Sequence, residues 1–174
     1  MKKMKRLVAV LLAGIMALAM LTACGGTPGT PGTPVTRDKE LEKSVAAWTV
    51  ELGKGANLEL TEDTTLTTIS EKCLPGMVKA YDAFIANNQT AYNAAVAETK
   101  TAFNAAKNGR NVAPVDVLFL NMEVTKENLA AAIQQNAGKF QTILKNAGVK
   151  NPAKFGVTVT KQDQYTLVLF MVSE

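Results

Sequence analysis

The segment FGVTVTKQDQYTLVLFMV, residues 155–172, carries the strongest structural signal in this chain. Its first part, Phe155 to Thr160, alternates apolar residues with glycine and threonine, and its second part, Tyr165 to Val172, is almost continuously apolar. Between them lie Lys161 to Gln164, four polar residues of the kind that form turns. Two β-branched and aromatic runs joined by a short polar turn predict an antiparallel β-hairpin.

Upstream of the hairpin, one further strand and several helices are predicted. Val115 to Met122 presents two largely apolar faces, which indicates a strand covered on both sides. Helical spacing of apolar residues occurs in six segments: Asp38–Leu52; Leu66–Cys73, with Thr61-Glu62-Asp63 as its cap; Met77–Ala86; Thr90–Lys107; Thr125–Ile133; and Phe140–Leu144. Pro75-Gly76 is expected to interrupt the chain between the second and third helices. The predicted fold class is α+β, an α/β/α sandwich with a small, mostly antiparallel sheet packed by helices.

The N terminus has the three parts of a secretory signal. Met1 to Arg6 carries four positive charges, and Leu7 to Leu21 then runs for 15 residues without a charge. A membrane-spanning helix needs about 20 apolar residues, so this run is too short for one. The sequence Leu21-Thr22-Ala23-Cys24 resembles the lipobox of bacterial lipoproteins, in which the cysteine sulfur is diacylated before the peptidase cuts in front of it.

The lipobox resemblance implies a division of the chain into three parts. Residues 1–23 are the signal peptide, and lipidated Cys24 begins the mature chain, anchored to the outer face of the bacterial cytoplasmic membrane or cell envelope. Residues 24–35 contain three Thr-Pro units spaced by glycine, with too little apolar surface to fold, which predicts a flexible linker. Residues 36–174 are long enough for one hydrophobic core and too short for two, so a single domain is expected.

Removal of the signal peptide also changes the charge balance. The whole sequence has 19 Lys and Arg against 15 Asp and Glu, and loss of the four signal-peptide cations leaves 15 of each sign. A neutral mature chain has no overall electrostatic attraction for nucleic acid or anionic lipid. Nucleic acid is therefore not expected as a partner.

Cysteine and histidine usage limits the chemistry. The chain has no histidine, and its second cysteine, Cys73, stands alone once Cys24 is lipidated, so no internal disulfide is expected. A lone thiol without an activating base is predicted to be a small buried apolar residue instead of a nucleophile. No metal site and no cofactor are predicted, since histidine is the commonest zinc ligand. Chemistry based on lysine or carboxylates stays open.

Four segments share sequence features with one family. Gly109–Ala113 is similar to a Gly-Glu-Asn-Ile-Ala motif, and Asn136–Leu144 is similar to Ser-Pro-Gly-His-Arg-x-x-Ile-Leu. The other two are the pair of hairpin strands, Phe155–Val159 and Tyr165–Phe170, and Leu60–Leu66, which is similar to Leu-x-x-Asp-x-x-Leu. In this order they resemble the CAP superfamily, which comprises cysteine-rich secretory proteins, antigen 5 proteins, plant pathogenesis-related proteins and bacterial exported relatives. The resemblance implies a CAP-like domain and covers mainly the C-terminal 65 residues. The segment from Lys72 to Lys107 matches nothing in the family.

The chain departs from the family at its metal site. Members with a metal-binding cleft use two histidines and two glutamates, whereas this chain has Arg110 in place of one glutamate and Lys139 in place of one histidine. Both side chains repel a divalent cation. The resemblance therefore implies a groove without metal, in which Arg110, Asn111 and Lys139 bind a carboxylate, phosphate or sulfate group. The alternative is that Arg110 and Lys139 pair with acids such as Glu123 or Glu127, or face solvent.

Three classes of function follow from these observations. The leading class is a non-enzymatic, lipid-anchored surface lipoprotein with a CAP-like domain that binds a small anionic, lipid or cell-wall ligand. The second is an adhesion or assembly module that presents one face to another surface protein. The third is a hydrolase of peptidoglycan or a related substrate, acting through Lys139 or carboxylates. No set of catalytic residues emerges from the sequence, so an enzyme is not expected.

Overall fold

The computed structural model describes residues 35–174, so the predictions for the signal peptide, for Cys24 and for linker residues 24–34 lie outside the described residues. Five helices and four strands make up the described part of the chain: α1 (Lys39–Gly55), β1 (Thr61–Glu62), α2 (Thr64–Ile85), α3 (Gln89–Lys107), β2 (Ala113–Leu120), α4 (Lys126–Gln135), α5 (Ala137–Asn146), β3 (Lys154–Lys161) and β4 (Tyr165–Ser173). The helix caps follow the sequence, since Asp63 caps α2 and Thr125 caps α4 with side-chain hydrogen bonds.

The four strands form one sheet in the order β1-β3-β4-β2. β3 and β4 pair antiparallel as the predicted hairpin, and β2 pairs antiparallel with the other side of β4. β1 was not predicted. It lies parallel to β3, and the N–H of Thr61 donates to the carbonyl of Ala153 at 2.9 Å while the N–H of Asp63 donates to that of Phe155 at 2.7 Å. The sheet is therefore mixed, and two of its three strand pairings are antiparallel.

Helices cover the sheet on both faces, which confirms the α+β class. α2 and α3 pack on the face that presents Leu118, Leu167 and Leu169, and α1, α4 and α5 pack on the face that presents Val157 and Val168. All five of these side chains are at most 3 % exposed. Burial of a Val or Leu side chain contributes roughly 1.5–3 kcal/mol, so the two apolar layers supply the main stabilisation of the domain. None of the helices in residues 35–174 combines the length and the apolar character that a membrane span requires.

The predicted interruption at Pro75-Gly76 is wrong, because α2 continues from Thr64 to Ile85 with Pro75 inside it. Proline removes one hydrogen bond from a helix, but packing on both sides of Pro75 compensates, since Leu74 and Met77 are almost fully buried. Gly76 serves close packing with α3: a Cβ there would lie 2.2 Å from Oγ1 of Thr99. The Pro-Gly pair thus marks a helix–helix contact and not a helix end.

Residues 35–38 run along the outer edge of β3 and bring the chain into the domain beside the β3–β4 turn. The N–H of Asp38 donates to the carbonyl of Val159 at 2.8 Å. Oγ1 of Thr160 donates to the carbonyl of Thr36 at 2.8 Å, and Nζ of Lys161 lies 2.9 Å from Oδ2 of Asp38. The predicted linker therefore joins the domain at the end of the sheet where β3 stops, which is here called the linker end.

Candidate functional site

The opposite end of the sheet carries an open cleft. β2 and β3 both pair antiparallel with β4, so both begin at this end, and β4 finishes there. The loops that lead into β2 and β3 therefore meet. They form a cleft of about 430 Å³ together with the residue that precedes α2 and with the C-terminal end of β4. The lining residues are Asp63, Gly109, Arg110, Asn111, Lys154, Ser173 and Glu174.

Two residues with positive φ shape the loop between α3 and β2. Asn108, at φ 47°, and Gly109, at φ 76°, turn the chain sharply after α3, and the N–H of Arg110 donates to the carbonyl of Lys107 at 3.0 Å. Arg110 and Asn111 then stand exposed at the rim of the cleft. Nδ2 of Asn111 donates to the carbonyl of Gly148 at 3.4 Å, which ties this loop to the chain after α5.

The two acids of the cleft are engaged by backbone N–H groups. Oδ1 of Asp63 accepts from the N–H groups of Thr65 at 2.7 Å and Leu66 at 3.3 Å. Burial raises the pKa of Asp63, but these hydrogen bonds outweigh it and hold the pKa below its ordinary value. Oε1 of Glu174 accepts from the N–H of Lys150 at 2.9 Å. Both carboxylates thus have structural partners of their own.

The two cations of the cleft have no such close partner, although the positive charge of Lys154 also helps to lower the pKa of Asp63. Neither Arg110 nor Lys154 has a carboxylate oxygen within 4.0 Å in residues 35–174, and both are exposed. Arginine offers a planar fork of donors that suits carboxylate and phosphate, and lysine offers a compact point charge. This pair can hold a small anion between the loops that lead into β2 and β3.

Lys139 lies elsewhere in the fold. It is half-buried in the first turn of α5, and it is not among the residues that line the cleft. Asn111 touches Gly148, just beyond the other end of that helix, and nine residues of helix correspond to about 13 Å. The structure therefore brings Arg110 and Asn111 together and separates Lys139 from them. Within residues 35–174, neither cation forms the alternative ion pair with Glu123 or Glu127.

Lys154 is the cleft residue that sequence reasoning missed. Its signal was present, because it immediately precedes the predicted strand that begins at Phe155, and Arg110 lies five residues before the predicted strand that begins at Val115. Two strands that flank a common antiparallel neighbour must begin at the same end of the sheet. The sheet order was needed to apply that rule, since the sequence alone does not show that β4 lies between β2 and β3.

A second cleft, of about 380 Å³, lies at the outer edge of β3 against α1. Its least exposed charged groups, Arg37 and Glu42, are paired with each other. Nε and Nη2 of Arg37 donate to the two carboxylate oxygens of Glu42, each at 2.6 Å, and Nη1 of Arg37 contacts Glu71. Oε1 of Glu42 also accepts from the N–H of Val159 at 3.0 Å. This arrangement joins α1, α2 and β3, so its role is structural.

Two further reactive side chains are buried inside the domain. Cys73 is buried as predicted, and burial raises the pKa of its thiol to about 12, so the thiolate is not formed at neutral pH. Asp116 is buried on β2, where Oδ2 accepts from the hydroxyl of Tyr81, while Oδ1 has no hydrogen-bond partner among the described residues. Burial raises the pKa of Asp116 well above its usual range. Neither group lines either of the two clefts described above.

The described residues contain no group of three or more Cys, Asp and Glu side chains placed to hold a metal ion. Comparison of the chain with models of protein families found no match. Comparisons with curated proteins and with solved structures likewise found none.

Proposed function

We propose that this chain is a lipid-anchored lipoprotein of the cell surface whose domain binds a small anionic ligand, without catalysis, in the cleft of Arg110 and Lys154. The observation that carries the proposal is the contrast of charges in that cleft. Asp63 and Glu174 are engaged by backbone N–H groups, whereas the two cations have no carboxylate within 4.0 Å in the described residues. An anion entering the cleft supplies the missing partner for both cations.

The CAP-like resemblance supports the same location. The segment Gly109–Ala113, which resembles the family's Gly-Glu-Asn-Ile-Ala motif, supplies Gly109, Arg110 and Asn111 to the cleft. The replacement of glutamate by Arg110 changes the preferred ligand from a metal cation to an anion. We propose a CAP-like domain that lacks the family's metal-binding residues.

Anion binding is tested by calorimetric titration of the purified mature protein with inorganic phosphate and with N-acetylmuramic acid, a carboxylate of the cell wall. We expect Arg110→Gln and Lys154→Gln each to weaken binding about tenfold or more, because a charged hydrogen bond contributes roughly 1.5–3 kcal/mol. The matched control is Lys54→Gln, which removes an exposed cation at the end of α1, outside the cleft. Equal affinity of the two cleft variants and the wild type, or no binding of either anion, contradicts the proposal.

Lipid anchoring is tested separately by incorporation of labelled fatty acid in cells. We expect labelling of the wild type and of Cys73→Ala, and loss of labelling in Cys24→Ala, because the lipobox places the acylated sulfur on Cys24. Cys73→Ala is the control because it removes the other cysteine of the chain. Labelling that persists in Cys24→Ala contradicts the lipoprotein assignment and leaves the anion-binding proposal untouched.

A further inference from the structure

The distribution of charge along the chain is uneven. Residues 128–162 contain five lysines and no aspartate or glutamate. One of the five, Lys161, lies at the linker end of the sheet and pairs with Asp38. The other four form no ion pair in residues 35–174: Lys139, Lys145, Lys150 and Lys154.

Three of these lysines lie at the cleft end of the sheet, near Arg110. Lys154 lines the cleft, and the N–H of Lys150 donates to Glu174, another lining residue. Lys145 is in the last turn of α5, three residues before Gly148, whose carbonyl accepts from Asn111. All four cations are exposed. The surface formed by Arg110, Lys145, Lys150 and Lys154 is here called the basic end.

Cations in the rest of the domain are mostly paired. The ion-paired ones are Arg37, Lys39, Lys43, Lys79, Lys126 and Lys161. Lys54, Lys72, Lys107 and Lys139 also form no ion pair in the described residues, but none of them lines the cleft, and Nζ of Lys107 lies over the ring of Phe103. Four exposed cations at the cleft end of the sheet thus have no carboxylate within 4.0 Å in residues 35–174, although the carboxylates of Asp63 and Glu174 lie at the same end.

A small anion cannot contact the whole basic end. The cleft has a volume of about 430 Å³, and Lys145 and Lys150 are not among its lining residues. A ligand held between Arg110 and Lys154 must therefore extend beyond the cleft to reach the other two cations. A linear chain with regularly repeated negative charges has that property.

We propose that the basic end binds a linear polyanion with repeated phosphate groups, an anionic polymer of the cell envelope, one unit of which occupies the cleft. This inference rests on the proposed anion-binding function and extends its ligand from a single anion to a polymer. The position of the linker does not hold the basic end against the protein's own membrane, and a polymer is therefore preferred over lipid headgroups. The linker joins the domain at the far end of β3, and eight residues of strand separate the two ends by roughly 25 Å.

The test uses the mature protein with labelled long-chain polyphosphate in fluorescence anisotropy, and with inorganic phosphate as the monomeric counterpart. We expect Lys145→Gln/Lys150→Gln to weaken polyphosphate binding about tenfold or more and to leave inorganic phosphate binding unchanged, because these lysines lie outside the cleft. The dependence of affinity on salt should also become shallower, since fewer counterions are released. Lys54→Gln/Lys72→Gln is the matched control, which removes the same number of exposed cations elsewhere.

The outcomes separate this inference from the proposal on which it rests. Polyphosphate binding that is unaffected by Lys145→Gln/Lys150→Gln, or equally affected by the control pair, overturns the polymer inference even if phosphate binds in the cleft. Loss of polyphosphate affinity in the Lys145 and Lys150 variant but not in the control pair, with inorganic phosphate binding unchanged, supports the inference. If the protein binds phosphatidylglycerol vesicles as tightly as polyphosphate, and Lys145→Gln/Lys150→Gln weakens both equally, the polymer inference is overturned in favour of a membrane surface.

Discussion

The two faces of the sheet are covered by helices in different ways. The face under α1, α4 and α5, here called the aliphatic face after its strand residues Val157, Val159 and Val168, carries one apolar cluster, and the helices above it add the buried polar residues Glu42, Thr49 and Asn136. The face under α2 and α3, here called the α2 face, presents apolar residues together with Gly156, Thr158 and the other polar residues of its strands. An aliphatic layer tolerates many side chains of suitable volume, whereas a layer with polar groups and close backbone approach accepts few.

Specific contacts hold α2 in one position on the sheet. Oγ of Ser70 lies 2.7 Å from Oγ1 of Thr158 and donates to the carbonyl of Leu169 at 3.0 Å. At Gly156 the helix backbone is so near that a Cβ would lie 2.1 Å from the backbone nitrogen of Thr67. Asp116 accepts from Tyr81 of the same helix. The comparison indicates that α2 gives the fold its specificity, while the aliphatic face supplies bulk hydrophobic stabilisation.

The largest change in unfolding free energy is expected from Asp116→Asn, because the wild-type carboxyl is buried on the α2 face. Burial raises the pKa of Asp116 in the folded state well above that of an unfolded aspartate, which is about 3.9. The folded protein therefore keeps this proton at pH values where the unfolded chain has lost it. Stability from this group is complete below pH 4 and is lost as pH rises toward the folded-state pKa, by at most about 1.4 kcal/mol per pH unit.

The measurement is urea unfolding of the wild type and Asp116→Asn between pH 3.5 and 8. We expect the difference in unfolding free energy to move steadily in favour of the asparagine variant as pH rises. Asp163→Asn, in the exposed β3–β4 turn, is the control and should change the profile little. Parallel pH profiles for wild type and Asp116→Asn would falsify the assignment of a neutral buried carboxyl.

Gly156→Ala is expected to destabilise the domain by about 3 kcal/mol, because the added methyl group meets backbone atoms of α2 that cannot move aside. The nearest atoms are the nitrogen of Thr67 at 2.1 Å and the carbonyl carbon of Leu66 at 2.3 Å. Gly138→Ala is the matched change in α5, where a Cβ meets nothing within 4 Å. Replacing a helical glycine by alanine stabilises by roughly 0.5–1 kcal/mol, so thermal unfolding should separate the two variants in opposite directions. A Gly156→Ala variant as stable as Gly138→Ala contradicts the close approach of α2.

Arg37→Ala tests the link between the two faces. Its guanidinium contacts Glu42 on α1 and Glu71 on α2, across the open edge of β3. The Glu42 side chain is only 8 % exposed, so loss of Arg37 leaves a buried carboxylate with poorer compensation. We expect a loss of about 2 kcal/mol in chemical unfolding, against a change near zero for Lys43→Ala, whose ion pair with Glu40 is exposed. Equal stability of the two variants means that the faces are held together without this contact.

The sequence predicted the aliphatic face better than the α2 face, because the two faces depend on different kinds of information. The alternation of Val157 and Val159 is a local pattern, and so is the cap of α4 at Thr125. Gly76 allows α2 to pack closely against Thr99 of α3, and this contact between two helices has no local signal in the sequence. From the local sequence alone, Pro75-Gly76 predicted a helix break that does not exist. β1 is two residues long, too short to give a periodic pattern.

The residues of the candidate site likewise divide into those that local sequence could predict and those that depend on the tertiary structure. Arg110 and Asn111 could be proposed from their own segment, through its resemblance to a family motif, and the structure places both at one cleft. Lys154 could be assigned to the cleft only once the order of strands was known. Lys139 lies away from the cleft because it is in the first turn of α5, at the other end of the helix from the segment that Asn111 contacts. The sequence shows that residues 128–162 contain lysines and no acids. The position of three of these lysines at one end of the sheet follows from the directions of the strands.

The smallest effect is expected from the hydroxyl pair that joins α2 to β3. Ser70→Ala leaves the hydroxyl of Thr158 and the carbonyl of Leu169 without the Ser70 partner, which should cost about 1–2 kcal/mol. Thr158→Val should cost a similar amount, because it leaves the buried Ser70 hydroxyl with one partner. The double variant removes both hydroxyls, so its loss should be smaller than the sum of the single losses by about 1 kcal/mol. Urea unfolding of all four proteins measures this coupling. Additive losses mean that the two hydroxyls act independently, and the α2 face then owes its specificity to the close approach at Gly156 and to the Asp116 contact alone.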